Sequence, residues 1–456
     1  MAGKNIINTV ERKSILLLGD LLILFFSLKN FVLRAIDYLD EDNFYIQIAI
    51  FSIGVVNYFT IAYVLDIYNL EKNPKSLTNS VMRVFSIASL FTVLQIAITT
   101  LVFDFAYWRL HLIVFVAFFP IQLVLWRLLF DYVFKFVPTS KNVLYIYDRT
   151  TKDTLDENIN SINGDDIETY YNVVSTYMNE DTPSFEDLEA LNRKNIDTWI
   201  INTRNYNHFS KEMENLMVQS LLGGKEIITY TSFYENVYEA LPIKSHNDSL
   251  YEVLQLKNRK IRYIQSITTF AFNFLLSLLT GLVFLLVVPF VYLLNFAFNP
   301  GPLFYTQLRV GKYGKEYKIF KFRSMVVNAE KSGAQMAVKN DARITKFGKI
   351  LRKFRIDELP QILSVIRGDM IFIGPRPERK VFVEKLNELT PFYDVRHLVK
   401  PGITGWAQVK FKYGQNLDDS IRKLEYDLYY IKNKSVVLDV RIIFKTLTTI
   451  LFSRGV

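Results

Sequence analysis

Four long apolar stretches in the first third of the chain limit its fold more than any other feature. They cover about residues 15–35, 44–65, 84–103 and 110–130, and each is close to the roughly 20 residues that a membrane-spanning helix needs. Hydrophobic residues make up 50% of the 456-residue chain, which indicates a membrane protein with soluble parts. We therefore predict a four-helix transmembrane domain over residues 1–138.

The charges around these stretches predict their orientation, because basic residues accumulate on the cytoplasmic side of membrane helices. They lie before the first stretch, between the second and third, and after the fourth: Lys4, Arg12, Lys13, Lys72, Lys75, Arg83, Lys135 and Lys141. Both ends of the domain are then cytoplasmic, and the acidic loop 37–42 is outside. The first stretch lacks a small-residue cleavage site, so we interpret it as a retained anchor.

Two ionisable residues, Asp20 and Lys29, interrupt the first stretch. An ionisable group at membrane depth is by default a functional candidate. We favour the alternative, in which both residues make helix contacts or lie near the membrane interface.

Residues 139–256 have the pattern of an α/β domain. Short β-rich runs at 142–147, 171–177, 198–202 and 226–231 alternate with polar helical stretches, which is typical of a parallel sheet. The predicted fold is Rossmann-like, but the turn after the first strand, 147–152, has no glycine. Because glycine lets a backbone approach a pyrophosphate closely, we expect a structural or regulatory domain in preference to a dinucleotide site.

A fifth apolar stretch, at about 267–298, is interrupted by Pro289. Basic residues flank it on both sides, which places both of its ends in the cytoplasm. We therefore predict a re-entrant helix hairpin within residues 257–299, bent at Pro289, where the proline removes a backbone donor. A kinked spanning helix is the alternative.

The last segment, residues 300–456, is the basic part of the chain, since about thirty Lys and Arg stand against about fifteen acids. This excess favours an anionic partner. Lys321 and Arg323 lie on one face of an extended run and could clamp a diphosphate, although a solvated strand edge fits equally well. Residues 344–354 suit either an interfacial helix on anionic lipid or a plain amphipathic helix. The absence of cysteine excludes disulfides, thiolate metal sites and a cysteine nucleophile.

Two carboxylates, Asp357 and Glu358, stand before Pro360 at the predicted entrance of a helix. The helix dipole favours ionised carboxylates there, and two adjacent anions invite Mg²⁺ held together with substrate phosphates. One of them could instead be a nucleophile, and a helix cap is the common alternative. Arg376, fixed between two prolines, suits bidentate phosphate recognition. The loop 400–409 either shapes a pocket or is an ordinary tight turn.

Taken in order, these segments resemble the catalytic domain of the bacterial sugar transferases, the monotopic polyprenyl-phosphate phosphoglycosyltransferases, from about Tyr263 onward. The resemblance is carried by Gly301-Pro302, Gln307, Arg309, Gly311, 321–325, Leu351-Arg352, 357–361, 367–370, 374–377 and 401–409. The four-helix region, the α/β domain and the ending 426–433 are similar to the large subgroup that initiates exopolysaccharide, capsule or O-antigen repeat units.

The resemblance implies that Asp357 attacks the sugar-bearing phosphate of a UDP-sugar and expels UMP, after which polyprenyl (undecaprenyl) phosphate accepts the sugar phosphate. It implies that Glu358 binds Mg²⁺ or assists, with Asp357 as a further metal ligand. The residues that it assigns to phosphate or nucleotide binding are Lys321, Arg323, Arg352, Gln361 and Arg376. It also implies a re-entrant fifth stretch and a catalytic domain on the cytoplasmic side of the bacterial inner membrane.

The expected protein is therefore of the α plus α/β class, with a mostly helical α/β catalytic domain in residues 300–456. Its expected partners are a UDP-sugar, a polyprenyl phosphate and the membrane, without nucleic acid, and homodimerisation stays open. Hexose donors such as UDP-glucose or UDP-galactose follow from the resemblance alone. Val288, Ser364 and Ile371 depart from the common residues of the family, as does the loop 410–414, which leaves the donor undetermined.

Three other functions compete with this interpretation. A transporter would need all five apolar stretches to cross, against the charges that flank the fifth, and would be expected to contain repeated broken helices. A noncatalytic scaffold that binds polyanions would need no special carboxylates. A conventional metal-dependent glycosyltransferase would have to use the Asp-x-Asp spacing at 40–42, in a loop predicted to lie outside.

Overall fold

A computed structural model describes residues 9–33, 44–65, 67–68, 77–102, 109–135, 141–163, 171–179, 195–203, 209–243, 263–327, 329, 341–411 and 417–451. The chain divides into two compact units, Met1–Tyr238 and Glu239–Val456. The acidic loop 37–42, the basic run 257–262 and positions 412–414 lie outside the described residues, as do Lys4, Lys72 and Lys75. The four domain boundaries and the orientation in the membrane stay predictions.

In the described part of the first unit, α-helices form at the four apolar stretches. They are α1 (Thr9–Ser27, continued by a π-helix, Leu28–Leu33), α2 (Phe44–Val64), α3 (Leu77–Val102) and α4 (Arg109–Lys135). Leu24, Phe91 and Phe119 belong to a shared apolar cluster and are fully buried. Val81–Thr100 and Ile113–Phe134 are long and apolar enough to cross a membrane, whereas the apolar part of α2, Ile48–Val64, is shorter.

A buried carboxylate links these helices. Oδ2 of Asp20 accepts hydrogen bonds from the hydroxyls of Tyr58 (2.8 Å) and Tyr68 (2.6 Å) and from Nη2 of Arg127 on α4 (2.6 Å). Charges are tolerated in such an interior only when they are paired, so the prediction of a helix contact is confirmed for Asp20. Lys29 is exposed, and its ammonium group lies 6.0 Å from the ring centroid of Phe25.

The remainder of the first unit contains a four-stranded parallel sheet with strand order β2-β1-β3-β4. Its elements are β1 (Lys141–Tyr147), α5 (Leu155–Asn163), β2 (Tyr171–Met178), β3 (Thr198–Asn202), α6 (Lys211–Leu222), β4 (Glu226–Thr229) and α7 (Tyr230–Tyr238). The sequence predicted these four strands, and every residue of β3 is buried. The glycine-free turn after β1 forms a 3₁₀ helix capped by the Asp148 side chain.

The fifth apolar stretch lies in the second unit. It forms a single helix, α8 (Tyr263–Phe298), with Pro289 inside it. The hairpin predicted here, with two arms and a loop between them, is not present in these residues. The physical reason is that a proline removes one backbone donor and kinks many helices without ending them. Thr269–Phe298 is a third candidate membrane span, and the bend at Pro289 stays a prediction.

Two asparagines, one in the first third of α8 and one directly after its end, bind other parts of the second unit. Oδ1 of Asn273 accepts a hydrogen bond from the backbone N–H of Phe372 (2.8 Å), and Nδ2 of Asn299 donates to the carbonyl of Arg323 (3.0 Å). Between these two contacts, Phe284 is buried in an apolar cluster of the same unit. The unit therefore contacts α8 along most of the helix.

The rest of the second unit mixes helices with short strands. An antiparallel hairpin, β5 (Phe304–Val310) and β6 (Glu316–Phe322), is followed by a parallel pair, β7 (Ile371–Ile373) and β8 (Gly402–Thr404). The helices are α9 (Lys346–Lys353), α10 (Ile362–Ile366), α11 (Lys380–Leu389), α12 (Trp406–Lys410), α13 (Leu417–Asn433) and α14 (Val436–Leu451), with 3₁₀ helices at Ile356–Gln361 and Pro391–Leu398. The predicted mostly helical α/β character is present.

Candidate active site

The two carboxylates that the sequence singled out lie in the 3₁₀ helix Ile356–Gln361, between α9 and α10. Arg355 precedes this helix in the left-handed conformation (φ 57°), and Pro360 lies within it. The predicted helix entrance is thus a tight 3₁₀ turn. Asp357 and Glu358 are only 7% and 9% exposed, so both carboxylates depend on their neighbours for stabilisation.

Glu358 is held between two cations. Its Oε1 lies 3.2 Å from Nζ of Lys321, near the end of β6, and 2.7 Å from Nη2 of Arg376. The Arg376 side chain is the most exposed of the three, at 37%, against 19% for Lys321 and 11% for Glu358. The structure thus brings together a cation from a strand, a carboxylate from a 3₁₀ helix and the arginine between two prolines.

The surroundings separate the pKa values of the two adjacent carboxyl groups. Burial and the neighbouring Glu358 raise the pKa of Asp357, against the opposing charges of Lys321 and Arg352. Burial alone would raise the pKa of Glu358, but the charges of Arg376 and Lys321 together hold it well below the ordinary value. The expectation that the helix entrance lowers both pKa values therefore holds for Glu358 alone, since burial and like charge act on Asp357.

One oxygen of Asp357 is chemically available. Within the described part of the chain, its Oδ1 is buried and has no hydrogen-bond partner. A buried acceptor in this condition is costly, and a group that enters the site can supply the missing interaction. Asp357 Oδ1 fits two such groups, an electrophilic phosphorus or a hard cation.

Three other predicted site residues lie in the same unit with different contacts. Arg352 donates from Nε to the hydroxyl of Ser324 (2.9 Å), and it contributes to the potential at Asp357. Gln361 is buried in the 3₁₀ helix that carries the two carboxylates. Arg323 points away from them, as its guanidinium donates to the carbonyls of Pro302, Asn299 and Met325.

This placement separates Lys321 from Arg323, which the sequence treated as one cationic pair. The strand β6 ends at Phe322, so the alternation that would put both side chains on one face does not continue. The structure gives Arg323 a role in fixing the turn after α8, whereas Lys321 contacts Glu358.

The backbone that carries Arg376 is clamped against the loop that contains β8. Gly374 N–H donates to the carbonyl of Thr404, and Gly402 N–H donates to that of Pro375, each at 2.9 Å. A Cβ on Gly402 would lie 2.1 Å from the Gly374 nitrogen. Only glycine permits this approach, and the loop 400–409 therefore positions Arg376.

Two arginines that sequence reasoning did not assign to the site hold the same loop. Arg309 on β5 contacts Glu378 and the carbonyl of Pro377, each at 3.2 Å. Arg396 donates to the carbonyl of Arg376 (2.8 Å) and to the buried Asp427 (2.7 Å). Arg309 belongs to the motifs that carry the resemblance, but nothing in the sequence indicated that Arg396 reaches Arg376.

Metal binding at the two carboxylates would draw on donors from the substrate as well. Among the described residues, no three His, Cys, Asp or Glu side chains form a group that could hold an ion. Two carboxylates completed by substrate phosphates are the ordinary ligands of Mg²⁺, and the unpartnered Oδ1 of Asp357 fits that use.

Comparison with known proteins identifies the second unit's relatives. The model of a family described as "Bacterial sugar transferase" matches residues 264–453. The "UDP-N-acetylgalactosamine-undecaprenyl-phosphate N-acetylgalactosaminephosphotransferase" of Aeromonas hydrophila is 53% identical over 157 residues, 34% of this chain and 37% of the relative. The "UDP-glucose:undecaprenyl-phosphate glucose-1-phosphate transferase" of Escherichia coli K12 is 43% identical over 150 residues, 32% of each chain.

A shorter relative is covered almost completely. The "Exopolysaccharide production protein PSS" of Rhizobium leguminosarum bv. phaseoli is 41% identical over 185 residues, 39% of this chain and 92% of the relative. For the first two relatives, the match spans only about a third of their length.

Proposed function

Since the chain belongs to the bacterial sugar transferase family, we propose that it transfers a sugar 1-phosphate from a UDP-sugar to polyprenyl (undecaprenyl) phosphate. The products are UMP and a polyprenyl-diphosphate-linked sugar, the first lipid-linked intermediate of a surface polysaccharide. The observation that carries the proposal is the arrangement at Glu358. The Glu358 carboxylate, whose pKa is held low, and two cations lie beside the buried Asp357 carboxylate, one oxygen of which has no hydrogen-bond partner among the described residues.

In the first half of the reaction, an oxygen of the Asp357 carboxylate attacks the phosphorus that bears the sugar. A new P–O bond to Asp357 forms, the P–O bond to the bridging oxygen breaks, and UMP leaves with the electron pair. Arg376 and Lys321 bind the diphosphate and stabilise charge on its oxygens. The raised pKa of Asp357 reflects a desolvated and therefore reactive carboxylate once it is ionised.

In the second half, a phosphate oxygen of the polyprenyl phosphate attacks the same phosphorus. The P–O bond to Asp357 breaks and the carboxylate is restored. Asp357 and Glu358 would hold Mg²⁺ together with the donor phosphates. When bound, the ion supplies charge neutralisation of the diphosphate.

The membrane arrangement that we propose has four N-terminal helices, a Rossmann-like middle domain, and a catalytic domain on the cytoplasmic face of the inner membrane. The contacts of Asn273 and Asn299 support one part of it, the placement of the catalytic domain on a single side of the membrane. These residues lie 26 positions apart on or beside α8, roughly 39 Å along a straight helix, yet both bind the same unit. A helix that crossed a bilayer between Asn273 and Asn299 would not offer both residues to one water-facing unit.

The experiment measures UMP release by the purified full chain with Mg²⁺ and a panel of UDP-sugars. The panel includes UDP-glucose, UDP-galactose and UDP-N-acetylgalactosamine, because relatives named for glucose and for N-acetylgalactosamine both match. We expect one donor to give lipid-dependent turnover, EDTA to stop it, and Mg²⁺ to restore it. Absence of UMP with every donor, or release of UDP, would overturn the proposal.

A second arm tests the role of Asp357. With donor and no lipid, we expect one UMP per protein molecule and a phosphosugar adduct on the peptide that contains Asp357. Asp357→Asn should lose both the burst and the turnover, while Asp153→Asn, at an exposed position of the first unit, should keep both. Lipid-dependent turnover without a burst would retain the transferase and refute the covalent step.

A further inference from the structure

A short segment outside the family match is built into the second unit. Residues 239–243, here called the strap, follow α7 directly, and the family match begins 25 residues after Glu239, at residue 264. Ala240, Leu241 and Ile243 are each at most 2% exposed. The backbone N–H groups of Leu241 and Ile243 donate to the carbonyl and to the carboxylate of Glu425 on α13.

Glu239, the first residue of the strap, is held by two ion pairs and a hydrogen bond. The Glu239 carboxylate is 4% exposed and pairs with Nζ of Lys410 (2.6 Å) and with Nη1 of Arg441 (2.8 Å). Its carbonyl accepts the indole N–H of Trp406 at 2.9 Å. Its backbone is left-handed (φ 56°), a conformation that a non-glycine residue keeps only where surrounding contacts enforce it.

Trp406 connects the strap to the candidate site. It is fully buried at the start of α12, directly after the loop that carries β8, and the ammonium groups of Lys410 and Lys445 lie 5.0 and 4.8 Å from its ring. The preceding residue, Gly405, packs against the loop that carries Arg376, because a Cβ on Gly405 would lie 2.2 Å from the carbonyl oxygen of Gly374. Close-packed backbone of this kind transmits displacement.

We propose that the strap sets the position of Arg376, and that Glu239 is a positioning residue for donor phosphate binding. Glu239 holds Trp406, Trp406 directly follows the loop 402–405, and that loop is hydrogen-bonded to Gly374 and Pro375, the two residues that precede Arg376. This inference rests on the proposed function of the same site. The strap follows α7 directly in the chain, because α7 ends at Tyr238.

The strap adjusts the site and does not perform the chemistry, since the family segment begins after it. Loss of the Glu239 charge leaves Lys410 and Arg441 without their shared carboxylate, and Lys410 and Lys445 both lie over the Trp406 ring, so that like charges repel there. Glu239→Gln is therefore expected to loosen the two loops. It should raise the KM for the UDP-sugar about tenfold while the KM for polyprenyl phosphate and kcat change by less than about twofold.

The first measurement does not depend on turnover. Hydrogen exchange of the full chain should be about tenfold faster in segments 374–376 and 402–410 for Glu239→Gln, and unchanged for Glu388→Gln, at an exposed position of α11. Arg441→Gln removes one of the two ion pairs and should give a smaller change in the same direction, which keeps the test valid if Glu239→Gln does not fold. Exchange at the wild-type rate in both the Glu239→Gln and the Arg441→Gln protein would overturn the proposal.

The second measurement is a double-mutant cycle with Arg376→Ala. If Glu239 acts through Arg376, Glu239→Gln should have no further effect on the KM for the donor in the Arg376→Ala background. Equal effects in both backgrounds would mean that the strap contributes stability alone, and would refute the positioning role. A wild-type protein without UMP release, but with the exchange change intact, would refute the proposed function and leave the contact between strap and loops standing.

Discussion

Replacing Gly402 with alanine is expected to separate the two loops that hold Arg376. The new Cβ would lie 2.1 Å from the nitrogen of Gly374 and 2.6 Å from the carbonyl oxygen of Thr404. Both are backbone atoms, so no flexible side chain can move aside. Because non-bonded carbon contacts are comfortable only near about 3.5 Å, the loops must move apart by more than about 1 Å.

The free energy of this change follows from the contacts that it breaks. A shift of that size removes two backbone hydrogen bonds, Gly402 N–H to Pro375 and Gly374 N–H to Thr404, each with a net value of about 0.5–1.5 kcal/mol. Residual overpacking adds roughly 1 kcal/mol or more. We expect a loss of about 3 kcal/mol, which for a unit of this size lowers Tm by roughly 6–12 °C.

Thermal unfolding of the purified full chain and titration with UMP test this expectation together. Gly402→Ala should lower Tm and weaken UMP binding, because Arg376 moves with its loop. Gly281→Ala on α8 is the control, since a Cβ there meets no atom within 4 Å and helix propensity favours alanine. A Gly402→Ala protein with the Tm and the UMP affinity of the wild type would refute the close-packing argument.

Three further outcomes are expected. The rate of UMP release should fall with decreasing pH above the range of an ordinary aspartate, because burial and Glu358 raise the pKa of Asp357; a rate that is flat down to the ordinary aspartate range, about pH 4, would contradict this. Burial raises the pKa of Asp427 to about 6 from 3.8. The protonated carboxyl therefore contributes at most about 3 kcal/mol to the free energy of unfolding, in full below about pH 3.8 and not at all above about pH 6. In Asp427→Asn, the free energy of unfolding should lose its decrease between these two pH values. Asp20→Asn should destabilise the first unit in detergent by roughly 3–5 kcal/mol by breaking the pair with Arg127, and an Asp20→Asn/Arg127→Gln double variant should show less than the sum of the single effects.

Periodicity and turn chemistry predicted the regular parts of the fold well. The four strands at 141–147, 171–178, 198–202 and 226–229 lie within about two residues of their predicted limits because alternation and buried apolar runs are local properties. Pro289 was harder to interpret, since whether a helix continues past a proline depends on the groups that surround the freed carbonyl.

The two carboxylates of the candidate site were predictable because Asp357 and Glu358 stand together in one short motif. Their partners were harder to predict, since Lys321 and Arg376 lie 37 and 18 residues from Glu358. Arg323 has the same charge as Lys321 and follows it by two positions, yet it binds carbonyls because β6 ends between them. Contacts across long sequence separations, such as that of Glu239 with Arg441, have no local signal.

The Glu358 carboxylate already neutralises Lys321 and Arg376, the two cations that we propose for the donor's diphosphate. A diphosphate that enters must compete with a carboxylate for the same two cations, so part of its binding energy is spent on exchange. Inorganic phosphate, which has no nucleoside to add further contacts, gains less from that exchange than a nucleotide does. The proposed donor carries two phosphates as well as a nucleoside and a sugar, and such a ligand can complete the replacement.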